Sequence, residues 1–360
     1  MKVLVYEHHC GNIGGGQRFI MLLLERARRL YGDELDITLA IPAFGAFHAA
    51  VAAHAEVVVL GKKTRPALGF ALLNLVRLQR PDIILCNNDA SFLMAVPAAL
   101  LSRKKILWQV KNMRRAWWSD ALCFLLAHRI LFISPQIVEN KSAHLVRWFE
   151  AKIFVLPIGT RLGDFLALPA PSCSSASPRA LVLCRVQPDK GIDMLVDALA
   201  ALDARGVGLH LRLAGGTPQG GESFASAMKS RTKDFCHVRV DWLGWRDDIV
   251  ALLGWAQILV HPSRKEGVPR CIVEAMAAGR PVIATDVGGT RSILVDGEQG
   301  FLIASGDAQS LAQRIEQLAM NPELTGRLGA AGRARARVEF DIDTHVRRLK
   351  GHLDAVLEQG

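Results

Sequence analysis

The alternation of short apolar runs with helix-length segments is the strongest constraint on how this chain can fold. Val3 to Tyr6, Ile37 to Ala40, Val57 to Leu60, Ile83 to Cys86, Ile106 to Val110 and Ile130 to Ile133 read as buried strands. Helical stretches such as Arg18 to Leu30 and Gly69 to Arg80 separate them. The pattern stops at Leu166 to Ala180, a stretch rich in Pro, Ser and Ala. It resumes with Ala180 to Cys184, Asp193 to Ala201, Leu209 to Ala214, Val238 to Leu243, Ile258 to His261, Val268 to Ala278 and Pro281 to Thr285. Strands that alternate with helices form parallel sheets covered on both faces. A chain of 360 residues, 50% of them hydrophobic, is long enough for two such cores. The expected architecture is therefore α/β, with a doubly wound domain over 1–165, a linker over 166–180 and a second doubly wound domain over 181–335. Carboxyl-terminal helices over 336–360 are expected to pack across the domains. Ligands of open parallel sheets sit beyond the carboxyl ends of the strands, so the chemistry is expected in the loops that follow them.

The first of those loops is EHHCGNIGGGQRF, after the opening strand. Gly14, Gly15 and Gly16 let backbone approach a phosphate or sugar with no Cβ in the way. The spacing is not G-x-G-x-x-G and no acidic residue closes a following strand, which disfavours a nicotinamide-dependent oxidoreductase. His8, His9 and Cys10 have no downstream pair at metal-ligand spacing, so no metal is expected; at most one of the histidines reads as lining the acceptor cleft, the other reading being satisfied histidines at its edge. After the strand at Ala180, Arg185 and Lys190 precede a helix. Two fixed cations there could neutralise the charge that develops on a departing diphosphate. The string SRKEGVPRCIVEAMAAGRP, Ser263 to Pro281, holds Glu266 in a loop and Glu274 in a helix, with Pro269 suited to the first helical turn and Gly279 to its end. A carboxylate can accept from two neighbouring hydroxyls of a sugar, and a helix N-terminus favours phosphate.

This last string resembles the retaining glycosyltransferases of family four, in which a glutamate, seven residues and a second glutamate stand in the form "EG...EAMA.G.PV.A...GG". The resemblance implies the GT-B fold, two Rossmann-like domains facing across a cleft, and transfer of a hexosyl or N-acetylhexosaminyl group from a nucleotide sugar. It gives Glu266 to the transferred sugar and Glu274 to the nucleotide ribose, with Gly267, Val268 and Pro269 supplying backbone around sugar or phosphate. Arg185 and Lys190 match the family's "GR...KG" cations for the donor diphosphate, and Gly14 to Gly16 its glycine-rich loop. No metal or other cofactor is implied. A uridine-linked donor is mildly preferred, from the likeness of EGVPRCIVEAM to enzymes of polysaccharide and lipopolysaccharide assembly.

The first half resembles the family only in layout. Lys111 and Asn112 stand near the place of a family histidine, Asn87 follows another strand end, and Arg161 replaces an aspartate in PIGTRLGDF. These residues, with His8 and His9, are the candidate acceptor side, for a glycan or lipid-linked acceptor. The missing histidine leaves one rival, a catalytically silent sugar-nucleotide-binding subunit.

Charge is uneven within the net +10: residues 1–165 hold 21 Lys and Arg against 12 Asp and Glu, and the remainder 23 against 22. Lys and Arg between 103 and 115 interleave with Trp108, Trp117 and Trp118, followed by Arg147 and Trp148, a mixture suited to an anionic membrane surface. No nucleic-acid motif accompanies these residues. MKVLVY runs directly into a strand without the features of a signal peptide, and Ala121 to Ile133 falls short of the roughly 20 residues of a membrane span. Seven cysteines without a C-x-x-C pair suit a reducing compartment. The expected location is the cytoplasm, at the inner face of the cell membrane.

Overall fold

The computed structural model describes residues 1–8, 15–61, 64–111, 117–171 and 178–358. These form two compact units, Met1–Arg161 with Phe340–Gly360, and Leu162–Glu339. The first unit runs β1 Lys2–Tyr6, α1 Gly15–Tyr31, β2 Asp36–Ile41, α2 Ala46–Val51, β3 Glu56–Val59, α3 Arg65–Gln79, β4 Ile83–Cys86, α4 Asp89–Leu101, β5 Lys105–Val110, α5 Trp117–Leu126, β6 Arg129–Phe132, α6 Pro135–Glu139, α7 Ala143–Trp148 and β7 Ile153–Val155. The second runs α8 Gly163–Leu166, β8 Arg179–Leu183, α9 Ile192–Ala204, β9 Leu209–Ala214, α10 Glu222–Arg231, β10 Val238–Gly244, α11 Ile249–Trp255, β11 Ile258–His261, α12 Arg270–Ala277, β12 Val282–Thr285, α13 Thr290–Ile293, β13 Gly300–Ile303, α14 Ala308–Met320 and α15 Pro322–Arg335. The chain ends in α16 Ile342–Glu358, in the first unit.

Both sheets are parallel, in the orders β3-β2-β1-β4-β5-β6-β7 and β10-β9-β8-β11-β12-β13. The order reverses between β1 and β4 in one sheet and between β8 and β11 in the other, the crevices where open sheets bind ligands. Central strands are covered by helices on both faces, which is why their sequences are almost continuously apolar: Val3, Leu4, Val5 and Tyr6 of β1 are all buried. The edge strands β7 and β13 do not appear in the sequence reading. β7 has three partly exposed residues and β13 begins with a glycine, so neither carries the apolar run of a central strand.

Two boundaries differ from expectation. Residues 166–171, read as linker, are fastened to the second unit. Arg280 Nη1 donates to the Pro169 carbonyl at 2.7 Å and Arg333 Nη2 to that of Leu168 at 2.7 Å. The tail also belongs to one unit. Thr160 and Ile342 exchange backbone bonds with Phe340 and Thr160 in a short parallel bridge, and His345 Nδ1 donates to the Pro157 carbonyl at 2.7 Å. The Asp341 carboxylate accepts from Asp343 N at 2.9 Å and so caps the start of α16.

Arg280 is 1% exposed, and its guanidinium also donates to the carbonyls of Leu253, Ala256, Gly254 and Ala278. One planar fork thereby satisfies the carbonyl ends around α11 and α12. Leaving buried acceptors unpaired costs about 1–3 kcal/mol each, so Arg280→Ala should lower the stability of the second unit by roughly 3 kcal/mol or more. Arg280→Lys, a point donor in place of a fork, should recover only part of this, as read from urea unfolding midpoints.

Candidate functional site

In the second unit, three loops at the carboxyl ends of β8, β11 and β12 converge on Glu266. Its Oε1 accepts from Lys190 Nζ at 2.6 Å and Ser263 Oγ at 2.7 Å, and lies 3.1 Å from His261 Nε2. Two glycines make the convergence possible. Gly191, at φ 64°, has the Pro262 carbonyl 2.0 Å from where a Cβ would stand, and Gly288, at φ 55°, has that of Glu266 at 1.9 Å. Gly289 N then donates to the Gly267 carbonyl at 2.6 Å. Arg264 clasps the same loop to the start of α9 through a two-pronged pair with Asp193, at 2.5 and 2.7 Å. The bonds from Arg264 outweigh burial and lower the Asp193 pKa.

Burial pushes the Glu266 carboxyl upward, but His261, Lys190 and Ser263 together hold it at about 2. Glu266 is therefore an anion throughout the working pH range. His261, at the end of β11, shows the converse. Burial drives its pKa down, yet Cys271 and Glu266 on its two sides bring it to about 10. Glu274 lies half-buried on α12, where burial raises its carboxyl and Arg270 lowers it, and its side chain has no hydrogen-bond partner among the described residues. A carboxylate so placed gains most from hydroxyl donors. Arg185, two residues beyond β8, is exposed. Lys190 has three donors: one meets Glu266 and another reaches the Lys265 carbonyl at 3.5 Å. The loop backbone at Gly267 is exposed, and Pro269 is the N-cap of α12, one place before the helical turn in which the sequence reading set it.

In the first unit a second buried carboxylate stands at the switch point. Glu7, directly after β1, accepts from Asn87 Nδ2 at 2.8 Å and Asn88 Nδ2 at 2.9 Å, both beyond β4. Asn88 in turn caps α4, its Oδ1 accepting from Ser91 N at 2.8 Å. Lys111, directly after β5, donates to Asn87 Oδ1 and lies 4.0 Å from the Phe19 ring centre. Burial lowers its ammonium to about 7 against the upward pull of Glu7. His8 Nδ1 is 3.2 Å from the Tyr6 hydroxyl, and its backbone N donates to Ser91 Oγ at 2.9 Å. Beside this cluster is a pocket of about 510 Å³ lined by His8, Arg65, Asp89, Leu93, Met94 and Trp118 among others.

The sequence candidates thus fall into two groups. Lys190 and Glu266 are in direct contact, with Arg185, Gly267, Val268 and Pro269 on the same loops and Glu274 on α12 directly after them; His8, Asn87 and Lys111 sit on neighbouring strand ends. Gly15 and Gly16 form the first residues of α1. Gly14, His9 and Asn112 lie outside the described residues, as do Cys10 and residues 112–116. Arg161 pairs with Glu25 on α1. The membrane reading needs one correction. Trp108 is fully buried, its indole donating to Asp89 Oδ1 at 3.2 Å, because it lies on central strand β5. Trp118 and Trp148 are exposed. Sequence reasoning missed Glu7 and His261; each is a titratable residue that closes or directly follows a central strand, and that was the available signal. Among the described residues no His, Cys, Asp and Glu group is placed to hold a metal ion, and no helix is long and apolar enough to cross a membrane.

Residues 177–321 match the family model "Glycosyl transferases group 1". The putative glycosyltransferase EpsD of Bacillus subtilis is 38% identical over 148 residues, covering 41% of this chain and 38% of that protein. The lipopolysaccharide core biosynthesis glycosyltransferase LpsE of Rhizobium meliloti is 31% identical over 201 residues, covering 55% and 56%. The chain therefore spans between about a third and somewhat over a half of these relatives' length. Among solved structures, Anabaena Alr3699/HepE in complex with UDP aligns over 99% of this chain and 100% of its own, with a TM-score of 0.81 and 21% identity. That likeness gives the fold, two Rossmann-like sheets of the GT-B kind. The stretch that matches the glycosyl transferases group 1 model lies within the second unit and contains its cations and its pair of glutamates, after β8 and β11.

Proposed function

We propose that this chain is a retaining, metal-independent glycosyltransferase that moves a hexosyl or N-acetylhexosaminyl group from a nucleotide sugar, with UDP-sugars preferred. The acceptor is a glycan or lipid-linked glycan of envelope polysaccharide or lipopolysaccharide synthesis, and the setting is the cytoplasmic face of the cell membrane. The observation that carries the reading is the Glu266 anion, held between Lys190, His261 and Ser263 and followed on α12 by Glu274, whose side chain has no hydrogen-bond partner among the described residues. In support, the B. subtilis and R. meliloti relatives are named as glycosyltransferases, the latter of lipopolysaccharide core synthesis, and HepE was solved with UDP.

In this reading Glu274 takes the ribose hydroxyls. Glu266 faces the sugar, where a fixed anion stabilises the positive charge that grows at the anomeric carbon as its bond to phosphate lengthens. Negative charge grows on the departing diphosphate, and Arg185 with the remaining donor of Lys190 meets it. The loops are already tied down, so little reorganisation opposes the step. On the acceptor side, Lys111 and Asn87 contact hydroxyls or phosphate, and the pocket lined by Asp89, Arg65 and Trp118 suits a sugar ring: an aromatic face for its C–H groups and charged edges for its hydroxyls.

Incubation with UDP-, GDP- and ADP-sugars should give one stabilising nucleotide series in a thermal-shift assay, together with slow donor hydrolysis that EDTA does not affect. Glu266→Gln should lower turnover by about 100-fold or more while nucleotide stabilisation persists. Nucleotide stabilisation with no transfer or hydrolysis under any condition would favour the silent subunit. Lys111 supplies a pH test. Its native pKa, about 7, lies below the unfolded value of about 10.4, so the unfolded chain binds the extra proton between them. Stability should rise with pH from about 7 to 10 through this group, and Lys111→Met should remove that part of the rise from the melting-temperature profile. If the exposed Trp118, Trp148 and Arg147 dock on a bilayer, the protein should sediment with anionic liposomes and not with neutral ones, and Trp148→Ala should weaken this.

A further inference from the structure

We propose that Cys271 is a modification site, a nucleophilic thiol beside the donor glutamates that reacts with hydroperoxides and soft electrophiles, and whose modification closes the donor pocket. The closing effect rests on the donor reading of Glu266 and Glu274; the reactivity does not.

Cys271 stands in the first turn of α12, with its Sγ 3.5 Å from His261 Nδ1. The other ring nitrogen, Nε2, is 3.1 Å from Glu266 Oε1. Sulfur, imidazole and carboxylate thus form a continuous chain in which the ring, kept protonated beside Glu266, turns an N–H toward the sulfur and steadies negative charge there. The ring has little freedom to leave this geometry, since His261 is 2% exposed and engaged on both sides. The amide groups of the α12 N-terminus add a second stabilisation of negative charge on sulfur.

The other described cysteines lack this arrangement. Cys86 and Cys123 are buried, and burial raises both thiols. Cys184 shares the surroundings of Glu266, but burial pushes it to about 12 against the pull of Lys190. Cys236 is exposed, and its sulfur faces only the Asp234 carbonyl at 3.9 Å. Cys271 alone among them combines partial exposure with an imidazole.

With hydrogen peroxide, sulfur attacks one oxygen, the S–O bond forms and the O–O bond breaks. The leaving hydroxide takes the proton held on Nδ1 and departs as water. Cys271 is oxidised by two electrons to the sulfenic acid and the peroxide is reduced. The added oxygen stands within the turn that joins Glu266 to Glu274, where it excludes the sugar nucleotide.

The test is competitive alkylation of the full chain with limiting iodoacetamide at pH 7, read by peptide mass spectrometry. Cys271 should be labelled about ten-fold faster than Cys236, and His261→Gln should remove that advantage without changing the Cys236 rate. Equal rates for the two cysteines in the wild-type chain would overturn the assignment even where His261→Gln does not fold. Saturating UDP should slow Cys271 labelling; fast labelling that UDP leaves unchanged would overturn the claim that the thiol controls the donor pocket.

Discussion

A half-buried anion at Glu266 imposes order on the whole carboxyl end of the second sheet. Removing a carboxylate from water costs several kcal/mol unless donors replace the lost solvent. Here the donors come from two loops: Lys190 follows β8, while His261 and Ser263 belong to the end of β11. They can meet only because Gly191 and Gly288 let three loop backbones pass within van der Waals contact. The Arg264–Asp193 pair fixes the same approach from outside. The geometry around the anion is thus set before any ligand arrives, which is the condition for electrostatic stabilisation of a transition state.

The first unit answers with the same device and a different balance. Glu7 is more deeply placed, but amides from Asn87 and Asn88 engage its two oxygens, and the cation nearby, Lys111, is lowered to about 7. The cluster is therefore near the edge of charge change at neutral pH, where the Glu266 site is not. A site poised in this way can adjust its charge to an incoming anion or hydroxyl, whereas a permanently ionised pair suits a charge that develops in each turnover.

Several features were readable from the residues. Parallel strands buried on both faces leave long apolar runs, so the central strands and the α/β class stood out. The donor loop stood out because two glutamates, a helix-starting proline and paired glycines follow one another within a short segment. Glu7 and His261 were harder to see: a single acidic or imidazole residue at a strand end has no local signature, and its importance comes from partners about 80 residues away or across a loop. Trp108 was misplaced for the opposite reason. Its basic neighbours suggested a surface, while its position on β5 put the ring inside.

By itself, the sequence determined the periodicity, the two cores and the chemistry available after each strand, because these depend on residue type and spacing along the chain. Only the tertiary structure decided that Lys190 neutralises Glu266, that Cys271 faces the ring that Glu266 holds, and that residues 166–171 fasten to the second unit while the last helix returns to the first. Such pairings depend on strand order and on how closely two backbones can approach. Parallel strands bring distant loops to one edge, and which loops meet there follows from the whole sheet.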